Sequence, residues 1–252
     1  MRKLLVCFLF LLPWYSMAEE QKIDAFITEG ERLHYKLRWG FLNVGTAVLE
    51  VHPKERFNGE PCFHYSLTIR TNKVADKFYK VRTTINSIVS IQSGQSLHYT
   101  KRQQEGKTNR NIEVTFDWKL RQAQYSNFGR LEAKVPLTDG VVDPLAVIYH
   151  FRTFPYTESS YTIPTTDGKK VVPVVIELGK RSVLKTKAGK FKAVKIEPDI
   201  KDLKGVFYKS KEASLSMWYS EDENRYPVRI KSKVAVGSFV ADLVKIEQLE
   251  VY

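Results

Sequence analysis

Cys62 and His64 stand two residues apart, and on an extended chain that spacing puts both side chains on one face. A thiolate beside an imidazole is a nucleophile–base pair, and the same two groups are half of a metal site. Either chemistry needs more: zinc takes three or four ligands, and a general base needs an orienting group. Asp143 and His150 are the other side chains that a hydrolytic site assembled from distant residues would recruit. His34, His52 and His98 are scattered, with no H-E-x-x-H or H-x-H spacing. No G-x-S-x-G elbow, Walker loop or dinucleotide glycine pattern occurs. Glu197 and Asp199 with Asp202, and Glu221-Asp222-Glu223, do not follow the spacing of a calcium loop. The sequence therefore assigns no catalytic residue, no metal and no cofactor. Cys62 reads first as a small buried apolar residue.

Binding is the alternative to catalysis. Trp39, Trp118, Trp218, Tyr219 and Tyr149 are the candidates for an apolar groove or a sugar platform, weighed against ordinary packing in a β core. Arg32, Lys36 and Arg38 alternate along one stretch, and Arg229, Lys231 and Lys233 along another, as basic-face candidates. Formal net charge is +12. Removing Arg2 and Lys3 leaves 38 Lys and Arg against 28 Asp and Glu, or +10. Such a field favours anionic lipid, lipopolysaccharide or acidic glycan, or an envelope protein docked on the basic face. Nucleic acid is not expected of an exported chain.

Export is read from the first eighteen residues. Arg2 and Lys3 precede the apolar run Leu4 to Leu12, and Ser16-Met17-Ala18 is a small-x-small cleavage site. The expectation is a signal peptide over 1–18, a single β-rich domain over 19–252 and a periplasmic location in a Gram-negative envelope. With Cys7 lost, Cys62 is the one remaining cysteine, so no internal disulfide forms.

The elements that would position these residues are mostly strands. Leu33, Tyr35, Leu37 and Trp39 alternate with Arg32, His34, Lys36 and Arg38, the period of a half-buried strand. The same alternation recurs at Val44–His52, Cys62–Thr71, Phe78–Ile91, Leu97–Gln104, Asn109–Trp118, Arg121–Asn127 and Arg130–Val135. It returns at Tyr161–Thr165, Lys170–Leu178, Ser182–Thr186, Phe191–Pro198, Glu212–Tyr219, Tyr226–Val234 and Phe239–Val251. Asn58-Gly59 and Asp167-Gly168 mark hairpin turns. One helix is expected around 143–153, with Asp143 as N-cap and Pro144 in its first turn. The fold class is all-β and mainly antiparallel: a curved sheet, incomplete barrel or sandwich. A membrane barrel is disfavoured because a lipid-facing row through Tyr252 would carry Glu250.

Gly30-Glu31-Arg32-Leu33-His34-Tyr35, then Trp39-Gly40 and Val44-Gly45-Thr46-Ala47, resembles the opening of a bacterial envelope family, the domain of unknown function 3108. Asp143 to Arg152 resembles that family's central Asp-x-Leu-x-x-x-Tyr-x-x-Arg segment. Tyr226 to Ile230 with Gly237 to Leu243 resembles its closing hairpin. The resemblance implies a periplasmic, β-rich protein and carries over no catalytic residue. The expected function is non-catalytic binding of an apolar or amphiphilic anionic envelope component. Two alternatives stand beside it: an envelope hydrolase using Cys62, His64, Asp143 or His150, and an assembly or scaffold factor that binds a protein partner through the basic face.

Overall fold

The computed structural model describes residues 26–199, 214–234 and 237–250. The expected signal segment and Asp202 lie outside them. Period-two alternation becomes strand: β1 (Glu31–Trp39), β2 (Leu42–Val51), β3 (Glu55–Phe57), β4 (Glu60–Thr71), β5 (Val81–Ser90), β6 (Ser96–Glu105), β7 (Thr108–Asp117) and β8 (Gln122–Asn127). The short β9 (Arg130–Leu131) and β10 (Val135–Pro136) precede the helix α1 (Ala146–Thr153). Then come β11 (Ser160–Thr166), β12 (Val171–Lys185), β13 (Lys190–Pro198), β14 (Ser214–Ser220), β15 (Pro227–Val234) and β16 (Gly237–Gln248).

These strands form one antiparallel sheet in the order β10-β8-β7-β6-β5-β4-β2-β1-β16-β15-β14-β13-β12-β11, with β3 added to β4 and β9 to β8. Pairing of β1 with β16, from Glu31↔Gln248 to Trp39↔Phe239, joins two wings. The wings curve towards each other without closing. The segment between β10 and α1 spans the gap: Val142 N donates to Pro164 O of β11, and Val142 O accepts from Thr166 N of β11, both at 3.0 Å. On the other wing, Ser96 N donates to Val141 O at 3.3 Å. The result is the curved, incomplete barrel among the expected shapes.

The inner face carries the core. Leu33, Tyr35, Leu49, Phe63, Tyr65, Val114, Ile176, Ile196, Met217 and Tyr219 are all buried there, which removes their apolar area from water. α1 packs into one end of the concavity. Tyr149 stacks on Tyr65 with ring centroids 3.8 Å apart, and Tyr219 Oη donates to Ile148 O at 2.9 Å.

Three local features follow from backbone chemistry. Asn58 and Gly59 both have positive φ, 51° and 87°, as a type I′ turn requires. Gly45 lies beside a bulge at Val44, where β2 approaches β4 so closely that a Cβ would sit 2.2 Å from Arg70 O. The two expected strands Lys170–Leu178 and Ser182–Thr186 are in fact one, β12. Its register with β13 steps from Leu178↔Ile196 to Arg181↔Val194, so Gly179 and Lys180 form a bulge opposite Lys195 rather than a turn.

Candidate functional site

The helix that plugs the barrel is tied down by two buried polar knots. Asp143 Oδ1 accepts from the amides of Leu145 (2.9 Å) and Ala146 (3.0 Å), the N-cap geometry expected of it, and Val147 N donates to Asp143 O. Its Oδ2 accepts from the hydroxyls of Ser87 (2.5 Å) and Ser96 (2.6 Å). Burial pushes the carboxyl above the usual range, and these four donors hold it back. At the other end of the helix the fully buried Arg152 forms a fork with Glu31 of β1, at 2.6 and 2.8 Å, and donates twice to Asn224 O. Arg225 in turn donates to Arg152 O and Phe154 O. These charges are spent on holding α1 against the sheet.

Of the four hydrolytic candidates, Cys62 and His64 both contact Glu55 of β3, and Asp143 and His150 are engaged elsewhere. Cys62 is buried under β3, its Sγ donating to Glu55 O at 3.2 Å. Burial and the Glu55 charge push its thiol up, away from the thiolate form. His64 lies tilted against His52 with ring centroids 4.3 Å apart, bonds Asn86 Oδ1 at 3.2 Å and has Nδ1 3.5 Å from Glu55 Oε1. His150 donates from Nε2 to Gly94 O at 2.8 Å. Among the described residues no group of three or more His, Cys, Asp and Glu is placed to hold a metal ion.

The aromatic candidates do not meet on one surface. Tyr149 and Tyr219 sit in the core around α1. Trp118 is partly buried and donates from Nε1 to Ser96 O at 2.8 Å, bracing the strand that holds Asp143. Trp218 lies under the Lys195 ammonium, 5.7 Å from the ring centroid. Trp39 is 44% exposed at the end of β1 and stacks on Phe239.

The basic-face candidates fall on the outer face of β1 and β15, where carboxylates compensate much of their charge. Arg32 pairs with Glu50 at 2.7 Å. Arg38 and Arg229 both reach Asp242 of β16, each at 2.5 Å. Lys36 lies in register with Asp242, while Lys231 and Lys233 are exposed.

Uncompensated positive charge gathers elsewhere. A groove of about 400 Å³ across β4–β7 is lined by Arg70, Arg82, Arg102 and Arg110 together with Asn109 and Asn111. Register brings Arg70, Arg82 and Arg102 together on the outer face, where Arg70 opposes Arg82 and Thr84 opposes Arg102, while Arg110 opposes the buried Gln103 and belongs to the inner-face row. Arg82 is bound to Asp76 at 2.6 Å, and with Thr71 it holds that carboxyl below its usual range. Arg70, Arg102 and Arg110 make no hydrogen bond or ion pair with a described residue. A second polar pocket shares Thr84, Arg102 and Asn111 and extends the groove towards Asn86, Thr100 and Ser126. Guanidinium forks bind phosphate and carboxylate oxygens two at a time, and neighbouring amides and hydroxyls suit polar head groups or sugars. Sequence reasoning missed this site because Arg70, Arg82 and Arg102 stand on three successive strands and become neighbours only through strand register.

A family model described as "Protein of unknown function (DUF3108)" matches residues 34–244. No curated protein matches the chain. Among solved structures it is similar to a β-barrel-like protein of the domain of unknown function DUF1849 from Brucella abortus, at 11% identity and TM-score 0.59. That match covers 87% of this chain and 98% of the other, and shows a shared fold. A protein from Bacteroides fragilis described as exported, with a YmcC-like fold, aligns over 87% of this chain and 96% of its own at 11% identity, with TM-score 0.33.

Proposed function

The chain belongs to the DUF3108 family of proteins of unknown function, and we propose that it is an exported envelope protein that binds rather than catalyses. Its ligand on this reading is anionic: the phosphate or carboxylate of a lipid, a lipopolysaccharide or a glycan, held in the arginine groove of β4–β7. One observation carries the reading. Arg70 and Arg102 stand at a groove on the outer face without carboxylate partners among the described residues, while Arg32, Arg38 and Arg229 of β1 and β15 reach Glu50 and Asp242. Unpaired guanidinium groups side by side repel one another, and a bound anion relieves that repulsion.

Export to the periplasm rests on the charged, apolar and small-residue pattern of residues 1–18. A single β-rich domain over 19–252 is supported by strand pairing that runs unbroken from β10 to β11. The filled core around α1 favours a head group at the polar groove over a ligand buried beneath the helix. Native mass spectrometry after gentle extraction tests the reading. A co-purifying phosphate- or carboxylate-bearing species, lost in an Arg102→Glu variant of unchanged melting temperature, is the expected result. A clean apo mass under every extraction condition overturns it.

A further inference from the structure

The end of the barrel opposite α1 is unlike the rest of the surface. Antiparallel pairing brings the β1–β2, β6–β7 and β15–β16 turns and the β4–β5 connection to that one end. Contacts chain them together. Trp39 stacks on Phe239 across the first and last of these hairpins. Asn72 donates from Nδ2 to Asn43 O at 2.6 Å and from its amide to Val44 O at 2.9 Å. Gly106 N donates to Lys80 O at 2.8 Å, with the Tyr79 ring packed over Gly106.

This rim exposes large apolar side chains. Phe41 is 95% and Phe78 86% exposed, and Leu42, Val74 and Tyr79 are exposed beside them. Single exposed hydrophobics are ordinary, but five at one end of the sheet, on loops tied together by hydrogen bonds, are not. The same rim carries Lys73, Lys77, Lys80 and Lys107, all exposed, against Asp76, which Arg82 already binds, and Glu105 at the end of β6, which accepts from Thr83 Oγ1 at 3.0 Å. Aromatic and aliphatic tips ringed by lysine are the composition that seats at a lipid–water interface: apolar groups enter the head-group boundary and ammonium groups meet anionic lipid.

We propose that this open rim docks on the surface of an anionic bilayer. Phe41 and Phe78 are the inserted anchors, and the four lysines supply the attraction. Arg70 and Arg82, the last paired residues before the β4–β5 connection, then bring one end of the arginine groove to head-group level. Docking stands independently of what the groove binds.

Co-sedimentation of the full protein with vesicles tests it. The probes are phosphatidylethanolamine vesicles containing phosphatidylglycerol, and vesicles of phosphatidylcholine alone. Expected are binding to the anionic vesicles that weakens with salt, little binding to the neutral ones, and a fall of roughly tenfold in partitioning for Phe41→Asp/Phe78→Asp. Both positions are exposed, so the melting temperature of that variant should be unchanged. Leu120→Asp, an exposed apolar residue at the opposite end, should bind like the parent. No binding by the parent, equal binding by Phe41→Asp/Phe78→Asp, or an equal loss in Leu120→Asp overturns the proposal. Arg102→Glu separates the two readings: loss of co-purifying ligand with retained vesicle binding leaves docking intact.

Discussion

Arg152 and Glu31 are 121 residues apart and form a buried fork that no sequence pattern announces. Removing one partner strands the other charge away from water. Glu31→Ala is expected to cost about 3–5 kcal/mol in chemical denaturation. Arg152→Met with Glu31→Leu should recover most of that loss; a double variant no better than the single one would mean the pair is not the cause. Asp143 was legible as an N-cap because Pro144 and a helical period follow it, but its partners Ser87 and Ser96 come from another part of the chain. Its raised pKa has a definite sign: the native state holds this proton more tightly than the unfolded chain. The contribution to stability is thus full below the unfolded carboxylate value and lost as pH rises through the folded one. Asp143→Asn, which keeps a capping oxygen, should flatten that part of the stability–pH curve. His150 runs the other way. Burial lowers its pKa, partly offset by Gly94 O, so its contribution is present above the ordinary imidazole value and lost as pH falls through the folded one. His150→Gln should remove that acid-side loss, measured by melting temperature across pH.

Strand existence was legible at the element scale because alternation of apolar and polar residues has one structural meaning here. β1, β4, β6 and β7 begin and end within two residues of the alternating stretches. Partner choice was not legible, since antiparallel register depends on which distant strand lies alongside. That is why Arg38 and Arg229 read as a free basic face, while their shared partner Asp242 emerged only from β1–β16–β15 pairing. It is also why the arginine groove went unread. Gly179 read as a turn because glycine marks turns and bulges alike. Gly45 is the position where a register is fixed by backbone contact. Gly45→Ala should cost about 1–3 kcal/mol through the clash with Arg70 O and loosen the β2–β4 pairing. Amide exchange along β2 and β4 reads this out; protection unchanged from the parent would place the constraint elsewhere.

For the whole molecule, a sheet whose two wings nearly meet has three distinct regions. One end is plugged by α1 and its charges are consumed internally. The outer wall on β1, β15 and β16 is largely ion-paired. The open end and the adjoining arginine groove hold uncompensated cationic charge beside exposed aromatics. Composition announced a positive chain but not where the charge was left over, because compensation is a property of pairing. The account places ligand binding at that groove. Titration of the protein with lipopolysaccharide, followed by calorimetry at low and high salt, tests it most directly. Saturable binding that weakens as salt rises, and falls about tenfold or more in Arg102→Glu, is the predicted result. Saturable binding left intact by that charge reversal would contradict it.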